Sequence, residues 1–413
     1  MRAVFVNYSH PDTPHVSGMR VPRFGQTMAA RGHQIVLITK SLDDDEQGIE
    51  PSALPAVLGR HDWRYPLHLP VTPVSDPWLE RIRGGKLATP IRKVVVGLYY
   101  WSHYGVFSDW VAATRPYWPT LALSFKPEVA WGTFGNTDTW IVASNIAKLA
   151  SSPWVGDFKD GWEDFIPMFL RSRASKRFAG AAAFTANSEH FAGQARKWFG
   201  KEARVVYSGV ADCFFNRSPL EATNMGSQFR ITLTGSLYED ESLIQFLRAV
   251  VMWSRKRREQ TGEVCDVVYA GADSERFRRC AQFLHGDCRV TIHDYLPLEE
   301  LARLCQGASL NAYLHNPTTF HHKLLELLAC EKPVLVFPGE SEEAIRLARE
   351  VGARLFVGRC PEDVQKVLDR TAQDEAPRTS ELERFRQHFS WDAQAVNLER
   401  CLTEAQVAWQ RPA

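Results

Sequence analysis

The chain has 413 residues, 45% of them hydrophobic and 23% charged, and its formal net charge is +1. This length suits two domains of about 200 residues each. The balanced charge gives no field that would indicate nucleic acid as a partner. The eight cysteines all lie in the second half and form no C-x-x-C pair, which excludes a zinc site of that spacing and favours reduced thiols over a disulfide framework.

The first half of the chain alternates short β-branched runs with helical patterns. Residues 4–6 and 34–39 are predicted strands, and residues 20–30 form the predicted helix between them. Strand, crossover helix and strand in about 40 residues make a βαβ unit, which implies a parallel sheet. The alternation continues with a strand at 128–131, a helix at 139–149, and strands at 153–157, 181–186 and 203–207.

The segment 78–118 interrupts this alternation with basic residues mixed among Trp and Tyr. Such a composition suits either a core helix with a charged outer face or contact with a membrane surface. No run of about 18 apolar residues predicts a membrane span, and the apolar run at the N-terminus is too short for a signal peptide. We therefore predict a cytoplasmic protein, with peripheral contact at the inner membrane face as the alternative for this segment.

The second half repeats the alternation after a polar stretch. Residues 219–227 are a predicted linker, since they are polar and contain Asn and Gly. Two alternating halves predict an α/β protein with two Rossmann-like, doubly wound parallel-sheet domains. Their predicted bounds are 1–218 and 228–388, followed by a C-terminal helix within 389–413. The predicted elements of the second half are strands at 229–234, 266–270, 290–292, 310–314 and 333–337, and helices at 241–256, 298–306 and 323–329.

One segment of the second half, residues 320–335, has the pattern of a binding helix. The predicted helix starts near Lys323, and its N-terminus offers free N–H groups and a positive dipole to an anion. A lysine in the first turn is unfavourable for the helix, which suggests that a bound anion offsets this cost. Glu326, one turn further, could accept both hydroxyls of a ribose. The alternative is an amphipathic helix with a solvated Lys–Glu pair.

This segment resembles the donor-binding helix of GT-B glycosyltransferases, especially the large retaining group numbered family four. Other blocks of the chain resemble blocks of that family and occur in the same order. They are Ser17-Gly18-Met19-Arg20, Ala186-Asn187-Ser188-Glu189, the stretch from Val206 to Asp212, Thr234-Gly235-Ser236-Leu237-Tyr238, the stretch from Tyr295 to Leu301, and Phe389-Ser390-Trp391.

The resemblance implies two domains that face each other across a cleft, with the C-terminal helix 389–413 crossing back to the N-terminal, acceptor-side domain. It implies a nucleotide-sugar donor bound by the C-terminal domain, with no cofactor and no metal. The residues that it assigns to the donor are Gly18, Gly235, Ser236, Thr319, His321, His322, Lys323 and Glu326. Thr318 stands where the family has a first Glu, and residues 239–241 are acidic where it has basic ones. These departures leave the donor and the stereochemical outcome open.

The first half contributes two candidate catalytic residues. Asp157 and Asp160 lie at the end of a predicted strand and just after it, and a carboxylate there could orient or deprotonate an acceptor hydroxyl. The alternative is that one of them caps the next helix. The acidic run 43–46 is interpreted as a solvated loop and not as a metal site.

These observations predict a glycosyltransferase that moves a sugar from a nucleotide-sugar to a hydroxyl of a glycan or lipid-linked glycan, as in polysaccharide or glycoconjugate assembly. Nucleic acid is not an expected partner. Two alternatives remain open. The first is another enzyme of the same architecture, such as a sugar-nucleotide epimerase or a phosphorylase. The second is a catalytically degenerate scaffold protein in a glycan-assembly complex.

Overall fold

The computed structural model describes residues 1–13, 16–43, 46, 48–74, 76–85, 88–216, 228–284, 286–315, 320–373 and 382–410. The chain divides into two compact units. Unit 1 comprises Met1–Ser208 with Gln394–Ala413, and unit 2 comprises Gly209–Ala393. The predicted linker at 219–227 lies outside the described residues, so its hinge role stays a prediction.

Unit 1 is built on a seven-stranded parallel sheet in the order β3-β2-β1-β4-β5-β6-β7. Its strands are rich in Val, Ile, Phe and Ala, and their nearly continuous burial is typical of a parallel sheet covered on both faces. The strands are β1 (Arg2–Val6), β2 (Gln34–Lys40), β3 (Leu67–Val71), β4 (Val129–Phe134), β5 (Trp154–Phe158), β6 (Ala183–Ala186) and β7 (Ala203–Val205).

Helices connect these strands and cover the sheet. Trp140 lies at the centre of an aromatic cluster, with Trp162 stacked on it at 5.6 Å between ring centroids. The helices of this part of the chain are α1 (Arg20–Ala30), α2 (Leu54–Arg60), α3 (Pro77–Arg83), α4 (Thr89–His103), α5 (Ser108–Thr114), α6 (Tyr117–Thr120), α7 (Thr137–Leu149), α8 (Trp162–Phe165), α9 (Arg171–Phe178) and α10 (Glu189–Phe199). The segment 78–118 thus contains several short helices and one long one, α4.

Unit 2 is built on a six-stranded parallel sheet in the order β10-β9-β8-β11-β12-β13. The strands are β8 (Arg230–Thr234), β9 (Cys265–Ala270), β10 (Cys288–His293), β11 (Leu310–Leu314), β12 (Val334–Phe337) and β13 (Leu355–Val357). The helices are α11 (Asp212–Phe215), α12 (Asp240–Thr261), α13 (Ser274–Cys280), α14 (Leu298–Gln306), α15 (Lys323–Ala329), α16 (Glu342–Glu350), α17 (Pro361–Gln373) and α18 (Leu382–Phe389).

The last helix, α19 (Trp391–Gln410), begins in unit 2, and from Gln394 onward its residues belong to unit 1. Several bonds attach it to unit 1. Gln394 accepts a hydrogen bond of 2.9 Å from the backbone N–H of Tyr207. Glu399 forms a 2.7 Å ion pair with Arg31. The C-terminal segment therefore completes the unit that the N-terminal residues begin.

Among the residues that the structure describes, no helix combines the length and the apolar character that a membrane crossing requires. The two doubly wound α/β domains that the sequence predicts are confirmed.

Candidate functional site

In each sheet the strand order reverses at one point, although all strands stay parallel. This switch point lies between β1 and β4 in unit 1 and between β8 and β11 in unit 2. In open parallel sheets, ligands bind beyond the carboxyl ends of the strands at such switch points. The loops that follow these strands are therefore the candidate regions for a site in each unit.

In unit 2, the loop after β8 lies beside the start of α15. Gly235 follows β8 with φ of +93°, a left-handed conformation that glycine adopts without strain. A Cβ atom built on Gly235 would lie 4.0 Å from Cγ of Lys323. The Gly235 carbonyl accepts a 2.9 Å hydrogen bond from the Tyr269 hydroxyl of β9, which fixes the turn. The exposed Ser236 follows directly. Three of the predicted donor residues are thus neighbours at the switch point.

Lys323 and Glu326 form an ion pair one turn into α15. The Lys323 ammonium donates to Oε2 of Glu326. Oε1 of Glu326 lies 3.8 Å from Nε2 of His322, which is beyond hydrogen-bond distance. Burial alone would raise the pKa of Glu326, but the charges of Lys323 and His322 outweigh it and hold that pKa below its ordinary value. The carboxylate is therefore ionised and keeps an oxygen that can accept further hydrogen bonds.

His321 brings a neutral imidazole to the same place. Burial, together with the nearby His315 and Lys323, lowers the pKa of His321 to about 3. Its Nδ1 is buried and, in the part of the chain that the structure describes, has no hydrogen-bond partner. Its Nε2 lies 3.4 Å from the hydroxyl of Tyr238, in the loop after β8. A neutral ring with an unpartnered nitrogen can bind a polar group of a ligand without adding charge.

A second layer of side chains holds the His321 ring. Tyr313 of β11 stacks on it with ring centroids 5.7 Å apart, and the Tyr313 hydroxyl donates to Oε2 of Glu340. Oε1 of Glu340 accepts 2.7 Å and 3.0 Å bonds from the backbone N–H and the hydroxyl of Ser341. These bonds hold Tyr313 in place and, through the stacking of the two rings, His321 as well.

Sequence reasoning brought together Gly235, His321, Lys323 and Glu326, but it missed the residues that support them. Tyr238, Tyr269, Tyr313 and Glu340 each lie within a strand or a few residues after its end. Polar residues at the ends of adjacent parallel strands are the available signal, and it becomes specific only once the strand order is known. The predicted Thr319 lies outside the described residues.

In unit 1, Asp157 of β5 is completely buried and saturated. Arg20 of α1 donates to both its oxygens, at 2.8 Å and 3.1 Å. The hydroxyls of Thr133 and Thr185 donate to it as well, each at 2.7 Å. Arg20 itself is 2% exposed and also donates to the carbonyl of Val206 at 2.9 Å. These contacts favour a structural role for Asp157, and its predicted action on an acceptor remains a prediction.

In the same unit, Asp160 occupies more open surroundings, whereas Gly18 is buried. The Asp160 side chain is 35% exposed and lies 3.4 Å from the Lys159 ammonium. Its carboxylate is beside Gly135, the residue after β4, so it is at the switch point. A Cβ atom on Gly18 would come within 2.6 Å of the His10 carbonyl, so close packing of the loop after β1 requires glycine there. Asp160 is the predicted acid that a ligand of unit 1 could reach.

One group of side chains in unit 1 has the composition of a metal site. The ligand atoms of His10, Glu46 and His68 lie within 4.8 Å of one another. The backbone N–H of Asp12 donates to Nδ1 of His10 at 3.0 Å, so the ring proton is on Nε2, which lies 3.1 Å from Glu46. His10 and Glu46 are thus hydrogen-bonded to each other, and the prediction of a metal-free protein stays a prediction.

No protein-family model matches this sequence, and no curated protein sequence matches it either. The fold, in contrast, is similar to many solved structures. HepE from Anabaena, in complex with UDP and glucose, aligns at 14% identity and a TM-score of 0.64, over 98% of this chain and 100% of that chain. Sucrose-phosphate synthase from Thermosynechococcus elongatus aligns at 15% identity and a TM-score of 0.69, over 98% and 99%.

A third similar structure has a different activity. UDP-GlcNAc 2-epimerase from Methanocaldococcus jannaschii aligns at 12% identity and a TM-score of 0.56, over 98% of this chain and 100% of that chain. At such identities the likeness shows the fold alone. The chain therefore has the two-domain Rossmann-like fold that these three structures share.

Proposed function

We propose that this protein is a glycosyltransferase that moves a sugar from a nucleotide-sugar donor to a hydroxyl of a glycan or lipid-linked glycan. The observation that carries the proposal is the cluster of Gly235, His321, Lys323 and Glu326 at the switch point of unit 2. The likeness to HepE, which was solved with UDP and with UDP-glucose, supports a nucleotide-sugar as the ligand.

Each residue of this cluster has a chemical task in the proposal. The Glu326 oxygen that faces His322 accepts hydrogen bonds from the ribose hydroxyls. Lys323, together with the backbone beside Gly235 and Ser236, stabilises the negative charge that develops on the leaving diphosphate. His321 stays neutral because its pKa is lowered to about 3, so it donates or accepts a hydrogen bond without changing the charge of the site. Transfer then depends on positioning and on electrostatic stabilisation.

Asp160 is the proposed residue for the acceptor. It is exposed enough to meet a hydroxyl and lies at the switch point of unit 1. A carboxylate in hydrogen-bond reach of the acceptor orients it and takes its proton. The proposal includes a metal-independent reaction and membership of the retaining family-four group, which the ordered sequence blocks support.

The first experiment is nucleotide binding to the full chain, measured by thermal shift and calorimetry with UDP, GDP, ADP, TDP and CMP. One nucleotide is expected to bind, and the Glu326→Gln variant is expected to bind it about 10 to 100 times more weakly, since a hydrogen bond to a charged group contributes about 1.5–3 kcal/mol. Asp266→Asn is the matched control, because Asp266 is also 7% exposed but is the second residue of β9, at the amino ends of the strands and away from the site.

Two outcomes would contradict the transferase. If no nucleotide or nucleotide-sugar binds, the degenerate scaffold is favoured instead. If a nucleotide-sugar such as UDP-GlcNAc is converted in the absence of any acceptor, the epimerase is favoured, and the similarity to UDP-GlcNAc 2-epimerase is the observation behind that second candidate. A transferase consumes its donor at a rate that depends on the acceptor.

A further inference from the structure

Helix α4 exposes an apolar stripe to solvent. Ile91, Val94, Leu98 and Trp101 are 57%, 64%, 57% and 57% exposed. Their spacing of three, four and three residues places all four on one face of the helix. The opposite face is packed against the core through Tyr100, which is 4% exposed. The stripe is therefore an outer surface of unit 1 and not part of its core.

A second segment, distant in sequence, extends this apolar surface. Met168 and Phe169 are 77% and 76% exposed, in a short 3-10 helix between α8 and α9. A Cβ atom on Gly97 of α4 would lie 3.2 Å from Cζ of Phe169, so the two segments touch. We call these six exposed side chains, four on α4 and two on the 3-10 helix, the α4 face. Apolar residues gathered in this way mark an interaction site more often than single exposed ones do.

The two α-helices that carry or follow the α4 face, α4 and α9, have only basic charges, while Glu163 and Asp164 lie on α8 before the 3-10 helix. Helix α4 carries Arg92 and Lys93 and no acid. Helix α9, which follows the 3-10 helix, carries basic residues and no acid, although the whole chain has a net charge of only +1. The Arg173 guanidinium lies 5.2 Å from the ring centroid of Trp101, which brings a cation of α9 to the stripe. Arg173, Lys176 and Arg177 are exposed.

We propose that the α4 face docks this protein onto an anionic lipid surface. Apolar side chains that include Trp and Phe, bordered by Arg and Lys, match the boundary between lipid headgroups and acyl chains. A second copy of the chain is a poorer occupant, because a two-fold contact would bring the basic residues of both copies together. The docking is independent of nucleotide chemistry, but it would place the proposed transferase beside a lipid-linked acceptor.

The test is flotation of the full-length protein with vesicles of phosphatidylcholine alone or of phosphatidylcholine with phosphatidylglycerol. Binding is expected only to the anionic vesicles, and it weakens as salt rises. The double variant Leu98→Ser/Trp101→Ser is expected to bind at least about tenfold more weakly, because two apolar side chains no longer enter the membrane. Met252→Ser is the control, since Met252 is 60% exposed on α12 of unit 2.

The charge part of the proposal has its own variant. Arg173→Glu with Lys176→Glu is expected to abolish the preference for anionic vesicles, since each basic residue near such a surface contributes about fivefold in affinity. Vesicle binding that is absent, or unchanged in both double variants, would overturn the proposal. Dimerisation by light scattering that the serine variant abolishes, with no vesicle binding, would assign the face to a second copy instead. Nucleotide binding is measured separately, so its failure is distinguishable.

Discussion

Asp157 in unit 1 and Glu326 in unit 2 are both buried carboxylates paired with a cation, but their remaining oxygens differ. Asp157 is fully buried and accepts from Arg20, Thr133 and Thr185. Glu326 is 7% exposed and is hydrogen-bonded to Lys323 through one oxygen, while its other oxygen lies 3.8 Å from Nε2 of His322, beyond hydrogen-bond distance. A carboxylate that its own chain saturates holds elements together, whereas one with a remaining acceptor oxygen is available to a ligand.

The largest effect is expected for Arg20→Ala. Removing the guanidinium leaves the Asp157 charge buried without its cation, which costs about 3–5 kcal/mol in the free energy of unfolding. Chemical denaturation measures it. The control is Arg196→Ala, because the Arg196–Glu202 pair is well exposed, at 69% and 72%, and its loss has little effect. A loss for Arg20→Ala as small as the control's would contradict the structural role of Asp157.

A third buried carboxylate, Asp138, differs from both because the structure gives it no cation as a partner among the described residues, and its effect on stability depends on pH. Burial raises the pKa of Asp138 from 3.8 to about 7. Between about pH 4 and about pH 7, Asp138 is protonated in the folded protein but ionised in the unfolded chain. The contribution of Asp138 to the free energy of unfolding is therefore largest below about pH 4 and is lost as the pH rises through about 7. At about 1.36 kcal/mol per unit, the loss is at most about 4 kcal/mol.

Asp138→Asn should remove this loss. We expect the difference in unfolding free energy between pH 5 and pH 8 to be smaller in the variant than in the parent protein, by denaturation at both pH values. The same pH dependence in both proteins would show that Asp138 is ionised at neutral pH despite its burial.

Glu326→Gln is expected to cost less than Arg20→Ala. The amide keeps an acceptor for Lys323 but loses the charge. We therefore expect the free energy of unfolding to decrease by about 1.5–3 kcal/mol. If the site is for a ligand, saturating nucleotide stabilises the parent protein more than the variant. Equal stabilisation of both proteins by nucleotide would mean that Glu326 does not touch the ligand.

The smallest effect on stability is expected for Asp160→Asn. The side chain is 35% exposed and its pair with Lys159 is near the surface, so the unfolding free energy should change by less than about 1 kcal/mol. Acceptor-dependent turnover should fall while donor binding stays unchanged. Unchanged turnover would remove Asp160 from the proposed acceptor site.

The sequence predicted elements well where local signals were strong. Helix α1 has the predicted bounds 20–30, because its apolar pattern ends at a Gly-containing turn. Strand β3 was not predicted, because Leu67–Val71 contains His68 and Pro70, and a proline within a short run argues against a strand. The strand lies at the edge of the sheet, where a proline is tolerated.

For the site, the prediction depended on how far apart in sequence the partners lie. Lys323 and Glu326 are on one helical turn, so their pairing could be predicted from spacing. Arg20 and Asp157 are 137 residues apart, and only the parallel sheet brings them together. Asp157 therefore looked like an accessible acid at a strand end, because nothing local in the sequence indicates that a distant arginine covers it.

The path of the last helix has a consequence for how the protein is made. Unit 1 contains Met1–Ser208 and also Gln394–Ala413, so all of Gly209–Ala393 is synthesised in between. During synthesis, the ion pair of Arg31 with Glu399 and the bond from Tyr207 to Gln394 cannot form until all of unit 2 has been synthesised. Domains usually fold from the N-terminus as they emerge. Here unit 1 is begun before unit 2 and completed after it.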